Sequence, residues 1–149
     1  MKFSTKGRYG LRAMVDLAVY SQGEHVALYS IAERQGISTN YLEQVFSLLR
    51  KSGLVKSVKG AQGGYVLAEP PADIKIGRIL RALEGSLSVI DDGGEDADRN
   101  ETSIQRCIRV NVWDKMNKTL NELVDSLTLE DLADRYRQRN GIQDTMYYI

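Results

Sequence analysis

The sequence predicts a mainly α-helical fold: three short helices closed by one two-stranded β-hairpin, followed by a long helix that so small a chain cannot cover. Three observations predict it. Apolar residues recur at three- and four-residue spacing through most of the chain, a glycine-rich stretch, VKGAQGGYV at 58–66, lies between β-forming residues, and one apolar stripe runs from 104 to 127.

Composition bounds the rest. A chain of 149 residues suits one domain core, or one domain with an appended helix, and not two catalytic lobes. With 42% hydrophobic and 27% charged residues it reads as soluble, and no run reaches the roughly 18 apolar residues of a membrane span. The opening MKFSTKGRYG has charges where a signal peptide has an apolar stretch, so a cytoplasmic location is expected. Cys107 is the single cysteine, which forms no internal disulfide and holds no metal by itself. The net charge of zero hides an asymmetry: through Arg81 there are 12 Lys and Arg against 6 Asp and Glu, and from Ala82 onward 8 against 14. The front half therefore suits a polyanion, unless the charges only decorate two solvated faces.

In the first helix Leu11, Met14, Val15 and Ala18 fall at helical spacing between Ser4 and Ser21, with Ser4 or Thr5 as cap. Leu28, Ile31 and Ala32 mark a second helix stopped by Gly36, although Ser30 and Glu33 also fit a capping box that would start it later. Ser38 caps a third helix over Thr39–Lys51, whose stripe is Leu42, Val45, Phe46 and Leu49, and Gly53 ends it. Only ISTN separates the second and third helices, which makes them a helix-turn-helix unit; the second member of such a pair normally enters the DNA major groove.

Leu54–Val58 and Tyr65–Leu67 read as two short strands joined by KGAQGG. A phosphate cradle needs a strand, a G-x-x-x-x-G-K-[ST] loop and a helix; this loop joins strand to strand and lacks the trailing lysine and hydroxyl. It reads instead as the wing of a winged helix-turn-helix. Gly60, Gly63 and Gly64 let backbone approach a sugar-phosphate surface, and Lys56 and Lys59 supply charge; a hairpin that merely turns is the alternative.

After Pro70 and Pro71, the residues Ile76, Ile79, Leu80 and Leu83 form a stripe stopped by Gly85. The acidic SLSVIDDGGEDADRNET reads as a mobile loop whose acids do not match a calcium loop. Ile104, Ile108, Val112, Met116, Leu120, Leu123, Val124 and Leu127 then mark one side of a helix over Thr102–Ser126, on the order of 36 Å long at 1.5 Å per residue. Such a stripe is most economically buried against its own copy in a homodimer; packing of one end within the chain is the alternative. Thr128 and Asp131 cap a last helix holding Leu129, Leu132, Ala133 and Tyr136, and the chain closes on DTMYYI.

The segments STKGRYGLRAM, IAERQGIS, YLEQVFSLLRKSGLVKSVKGAQGGYVL, ALEG and TLEDL, in this order, resemble the Rrf family of winged helix-turn-helix transcription regulators (IscR, NsrR and CymR type) over nearly the whole chain. The resemblance implies a DNA-binding domain at 1–85, an acidic flexible loop at 86–102, dimerisation helices at 103–138, a C-terminal tail at 139–149, and a homodimer on a double-stranded, palindromic or near-palindromic operator. It places Glu43 and Gln44 toward base edges, where glutamate accepts from cytosine N4 and glutamine pairs with adenine N6 and N7. Ser38, Thr39, Asn40 and Tyr41 at the start of that helix, Lys6, Arg8 and Tyr9 on the first helix, and Lys59 on the wing suit contacts to the DNA backbone or groove edge.

Iron–sulfur members of the family carry three cysteines between ALEG and the long helix. Here Cys107 stands alone and Val110 occupies the usual histidine position, so no cofactor and no metal site is expected, and Cys107 is expected to pack on its helix, with a redox-sensing thiol as the alternative. His25, the only histidine, is assigned no role. The chain therefore looks closest to the CymR-like branch, repressors of cysteine and sulfur metabolism that sense sulfur status through O-acetylserine sulfhydrylase. Tyr147, Tyr148 and Ile149 either dock on their own dimer or enter that enzyme. A cluster-free or thiol-responsive regulator of iron–sulfur or stress genes, and an adaptor with weak DNA affinity, stay open. One lone cysteine and one lone histidine make no catalytic constellation, so no enzyme is expected.

Overall fold

The computed structural model describes residues 2–90 and 100–141. Its order is α1 (Thr5–Tyr20), α2 (Leu28–Gln35), α3 (Thr39–Lys51), β1 (Val55–Val58), β2 (Gly64–Leu67), a 3₁₀ turn (Pro71–Asp73), α4 (Ile76–Glu84), α5 (Ser103–Ile108), a π turn (Arg109–Trp113), α6 (Asp114–Ser126) and α7 (Leu129–Asn140). The tail residues Tyr147, Tyr148 and Ile149 and the acids at 91–99 lie outside the described residues.

The head forms as the apolar spacing predicts. Ser4 and Ser38 each cap a helix through the side-chain oxygen, accepting from the Gly7 and Tyr41 amides. α2 starts at Leu28 behind an uncapped Ala27, so the alternative start at Ser30 is not used, and Gly36 ends it at φ 65°. Met14, Leu17, Ile31, Leu42, Phe46, Leu49, Leu54 and Ile79 are fully buried in one cluster, where truncating Phe46 to alanine would cost about 3–5 kcal/mol. One charge lies among them. Asp16, 3% exposed, accepts from Arg34 at 2.9 and 2.7 Å and from Gln35 at 2.9 Å, which fixes the angle between α1 and α2. The Arg34 guanidinium also stacks 4.1 Å from the Tyr20 ring.

β1 and β2 pair antiparallel, Val55 opposite Leu67 and Val58 opposite Gly64. The wing is tied down at its base. Val26 and Tyr65 exchange two backbone hydrogen bonds of 2.9 Å, and the Tyr65 ring lies 4.8 Å from that of Phe46. A side chain at Gly64 would strike the Val26 carbonyl, so this glycine is explained by packing within the protein; Gly60, at φ 122°, is the one that turns the loop.

α4 joins the head to the long helix. Arg81 donates to both oxygens of Asp125 at 2.8 and 2.9 Å and to Asn121 at 2.7 Å, holding the Asp125 carboxyl below the usual carboxylate range. The segment read as a loop from 86 begins docked rather than free: Leu87 is buried, and Asn117 accepts from the Val89 amide at 2.6 Å.

Two expectations about the long helix need correction. It is not one uninterrupted α-helix, because the Asp114 amide bonds to the Arg109 carbonyl five residues back. Stripe residues spaced by four drift about 40° per step around an α-helix, and one wide turn absorbs part of that drift. Nor does the whole stripe await a partner. Val124 is buried and Leu120 and Leu127 pack on the chain's own core, whereas Ile104, Ile108, Val112, Met116 and Leu123 are exposed. Cys107, expected to pack, is exposed, with Asn111 Nδ2 at 3.7 Å from its sulfur. α7 opens on the Thr128–Asp131 capping box and runs to Asn140, two residues past the expected limit of the dimerisation helices at 138.

Candidate nucleic-acid interface

On α3 the residues Asn40, Glu43, Gln44 and Ser47 recur at i, i+3, i+4 and i+7 and share one face. The first three are exposed and Ser47 is half-buried, while Leu42, Val45, Phe46 and Leu49 hold the opposite face in the core. This face forms the wall of an open concavity of about 670 Å³, to which α1 contributes Lys6. Ser47 joins this candidate face through its spacing from Asn40 and Gln44, a signal already present in the sequence.

Hydrogen bonds within the chain hold the start of α3. Ser38 accepts from the Tyr41 amide at 3.1 Å, and the Tyr41 hydroxyl lies 3.1 Å from Thr5 Oγ1 on α1. The Tyr41 ring meets Tyr9 edge-on at 6.0 Å, so Tyr9 and Tyr41 brace α1 against α3. Thr39 is half-buried as the first residue of the helix.

The other sequence-predicted residues divide. Lys6 lies beside α3, but Arg8, two positions on, is turned to the other side of α1, where it lines clefts with Leu11, Leu80, Leu132 and Tyr136. Lys56 and Lys59 are exposed along the wing but do not line the α3 concavity, and Gly63 is half-buried in the turn. The His25 Nε2 atom hydrogen-bonds the Gln62 carbonyl, tying the wing tip to the loop before α2. Nothing in the sequence marked that contact, because it joins positions far apart in the chain.

Glu84, the third residue of ALEG, carries no sign of its contacts in the sequence alone. Its carboxylate accepts from the Ser4 amide and from the Ser4 hydroxyl, both at 2.6 Å, and so fixes the first turn of α1, where Lys6 stands. Among the described residues no three His, Cys, Asp or Glu side chains gather as a metal site, and no helix is long and apolar enough to cross a membrane.

The chain matches known regulators over most of its length. The Rrf2 family model, described as an iron-dependent transcriptional regulator, covers residues 3–135. The transcriptional regulator CymR of Bacillus subtilis is 42% identical over 152 residues, spanning 100% of both chains. The solved structure of CymR, described as the global cysteine regulator of B. subtilis, superposes with a TM-score of 0.76 over 91% of this chain and 98% of the other. IscR of T. potens gives a TM-score of 0.73 at 48% identity, covering 93% of this chain and 90% of its own. With the helix-turn-helix, its wing and these matches in agreement, the chain belongs to the Rrf2 family of winged helix-turn-helix, DNA-binding transcription regulators.

Proposed function

We propose that the protein is a homodimeric repressor of cysteine and sulfur metabolism genes that works without an iron–sulfur cluster. The exposed α3 face carries the DNA-reading part of this reading: Glu43 and Gln44 offer groups that discriminate bases, while Lys6, Lys56 and Lys59 offer charge to phosphates. Dimerisation rests on the exposed Ile104, Ile108, Val112, Met116 and Leu123, a row too apolar to leave in water. The metabolic assignment rests on the likeness to CymR and on a single cysteine, against the three of the cluster-holding pattern.

The 48% identity to T. potens IscR favours a second reading, control of iron–sulfur genes. Protein purified without oxygen separates the two. Absence of visible cluster absorption, with DNA binding retained in Cys107→Ser, is the expected result; a stoichiometric cluster overturns the first reading. The sulfur signal is proposed to arrive through O-acetylserine sulfhydrylase, with Tyr147, Tyr148 and Ile149 as the inserted segment. The two tyrosines and the isoleucine offer apolar contact to a pocket of that enzyme. Removing those three residues is then expected to abolish binding to the purified enzyme in calorimetry and to leave operator affinity unchanged. Undiminished enzyme binding excludes insertion of the tail.

A further inference from the structure

We infer that Glu84 is a positioning residue for DNA binding, and that position 7 is glycine so that the Glu84 carboxylate can reach the start of α1. The inference rests on the proposed reading that α1 and α3 face the DNA together.

Glu84 is the last residue of α4, and its two oxygens take both polar hydrogens of Ser4, each at 2.6 Å. Ser4 caps α1, and the next two residues do the connecting: Thr5 bonds Tyr41 at the head of α3, and Lys6 lines the concavity beside Glu43 and Gln44. One carboxylate thereby sets where the first turn of α1 sits against the recognition helix. Glu84 brings no positive charge and makes no favourable phosphate contact, so its effect on DNA must pass through these neighbours.

Gly7 supplies the independent observation. A Cβ built there would lie 2.5 Å from Glu84 Oε2, 2.9 Å from Cδ and 3.0 Å from Cγ. All three atoms belong to a flexible side chain, so a methyl group at position 7 would push the carboxylate off Ser4 without disturbing backbone. Gly10, one turn on, differs: its added Cβ would collide with Leu83 and crowd Val45 inside the core. The two glycines of GRYG therefore have separable roles, one in placing a clamp and one in packing.

The test compares Gly7→Ala, Glu84→Ala, their double variant, Gly10→Ala and Lys6→Ala, titrated against the duplex that the wild-type protein enriches from a random pool. Losing a charge-assisted hydrogen-bond pair is expected to weaken binding about tenfold in Gly7→Ala and in Glu84→Ala. The Gly7→Ala melting temperature should fall less than that of Glu84→Ala, because the better helix propensity of alanine offsets part of the lost hydrogen-bond pair. The double variant should bind no more weakly than either single one, since both remove the same contact, and Gly10→Ala should lose melting temperature. Unchanged affinity in Gly7→Ala, losses that add in the double variant, or affinity that falls only with melting temperature would overturn the inference. Lys6→Ala reports separately on the reading beneath it. An unchanged salt slope there removes Lys6 as a phosphate contact, while the pattern of the other variants still decides whether Glu84 acts through Thr5 and Tyr41 on α3.

Discussion

A glutamate beside DNA repels phosphates and is useful only where it accepts from a base, so Glu43 and Lys59 should fail in different ways. Glu43→Ala is expected to lose about 1–3 kcal/mol of discrimination at particular base pairs. Lys59→Ala should weaken all sequences alike and lower the salt slope by about one counterion. Titrations over a salt series check both, and a change of sequence preference in Lys59→Ala would remove the wing as a backbone contact. Asp16 gives a stability prediction at the same scale. Its side chain is buried, and Arg34→Ala would leave it with Gln35 as the remaining side-chain donor. Because Arg34 is itself about one third exposed, the expected loss is about 2–3 kcal/mol, below the range for a fully buried pair, read from denaturant unfolding.

At the scale of elements, the head was legible because its signals are local. Ser38 with the Leu42–Phe46–Leu49 stripe gave α3 at its observed limits, and Thr128 with Asp131 gave the start of α7. The π turn was not legible. A four-residue spacing from Ile104 to Val124 fits an α-helix at each step and fails only in its accumulated drift. The split of that stripe was hidden for a different reason: Val124 is buried because Gly77 of α4 lets α6 approach, and no spacing within α6 shows that. Met116→Asp, on the exposed part, should shift sedimentation toward monomer with an unchanged melting profile at low concentration, whereas Val124→Asp should lower stability. A dimer that survives charges at both Ile108 and Met116 would contradict the proposed interface. The Thr128–Asp131 cap adds a pH dependence. The Thr128 amide and hydroxyl hold Asp131 below the usual carboxylate range, so its contribution is present above the unfolded carboxylate pKa and is lost as pH falls through the depressed value.

At the scale of the whole molecule, a basic front and an acidic back coexist at zero net charge. The sequence shows that asymmetry, but several contacts that align the proposed interface join distant positions. Glu84 to Ser4, Tyr41 to Thr5 and His25 to Gln62 exist only once the chain has folded. They explain why α1, α3 and the wing could be identified singly and not as one arranged surface. Both halves matter to the central claim, which is a dimer that reads two half-sites through paired α3 helices. Selection from a random DNA pool at defined salt, followed by footprinting of the enriched duplex, tests it most directly. The account predicts enrichment of a two-fold related sequence, protection of both half-sites by one dimer, and loss of selectivity at the same base pair of each half-site in Glu43→Ala. Enrichment of a single unrepeated site bound by a monomer, or selectivity untouched by Glu43→Ala and Gln44→Ala together, would contradict it.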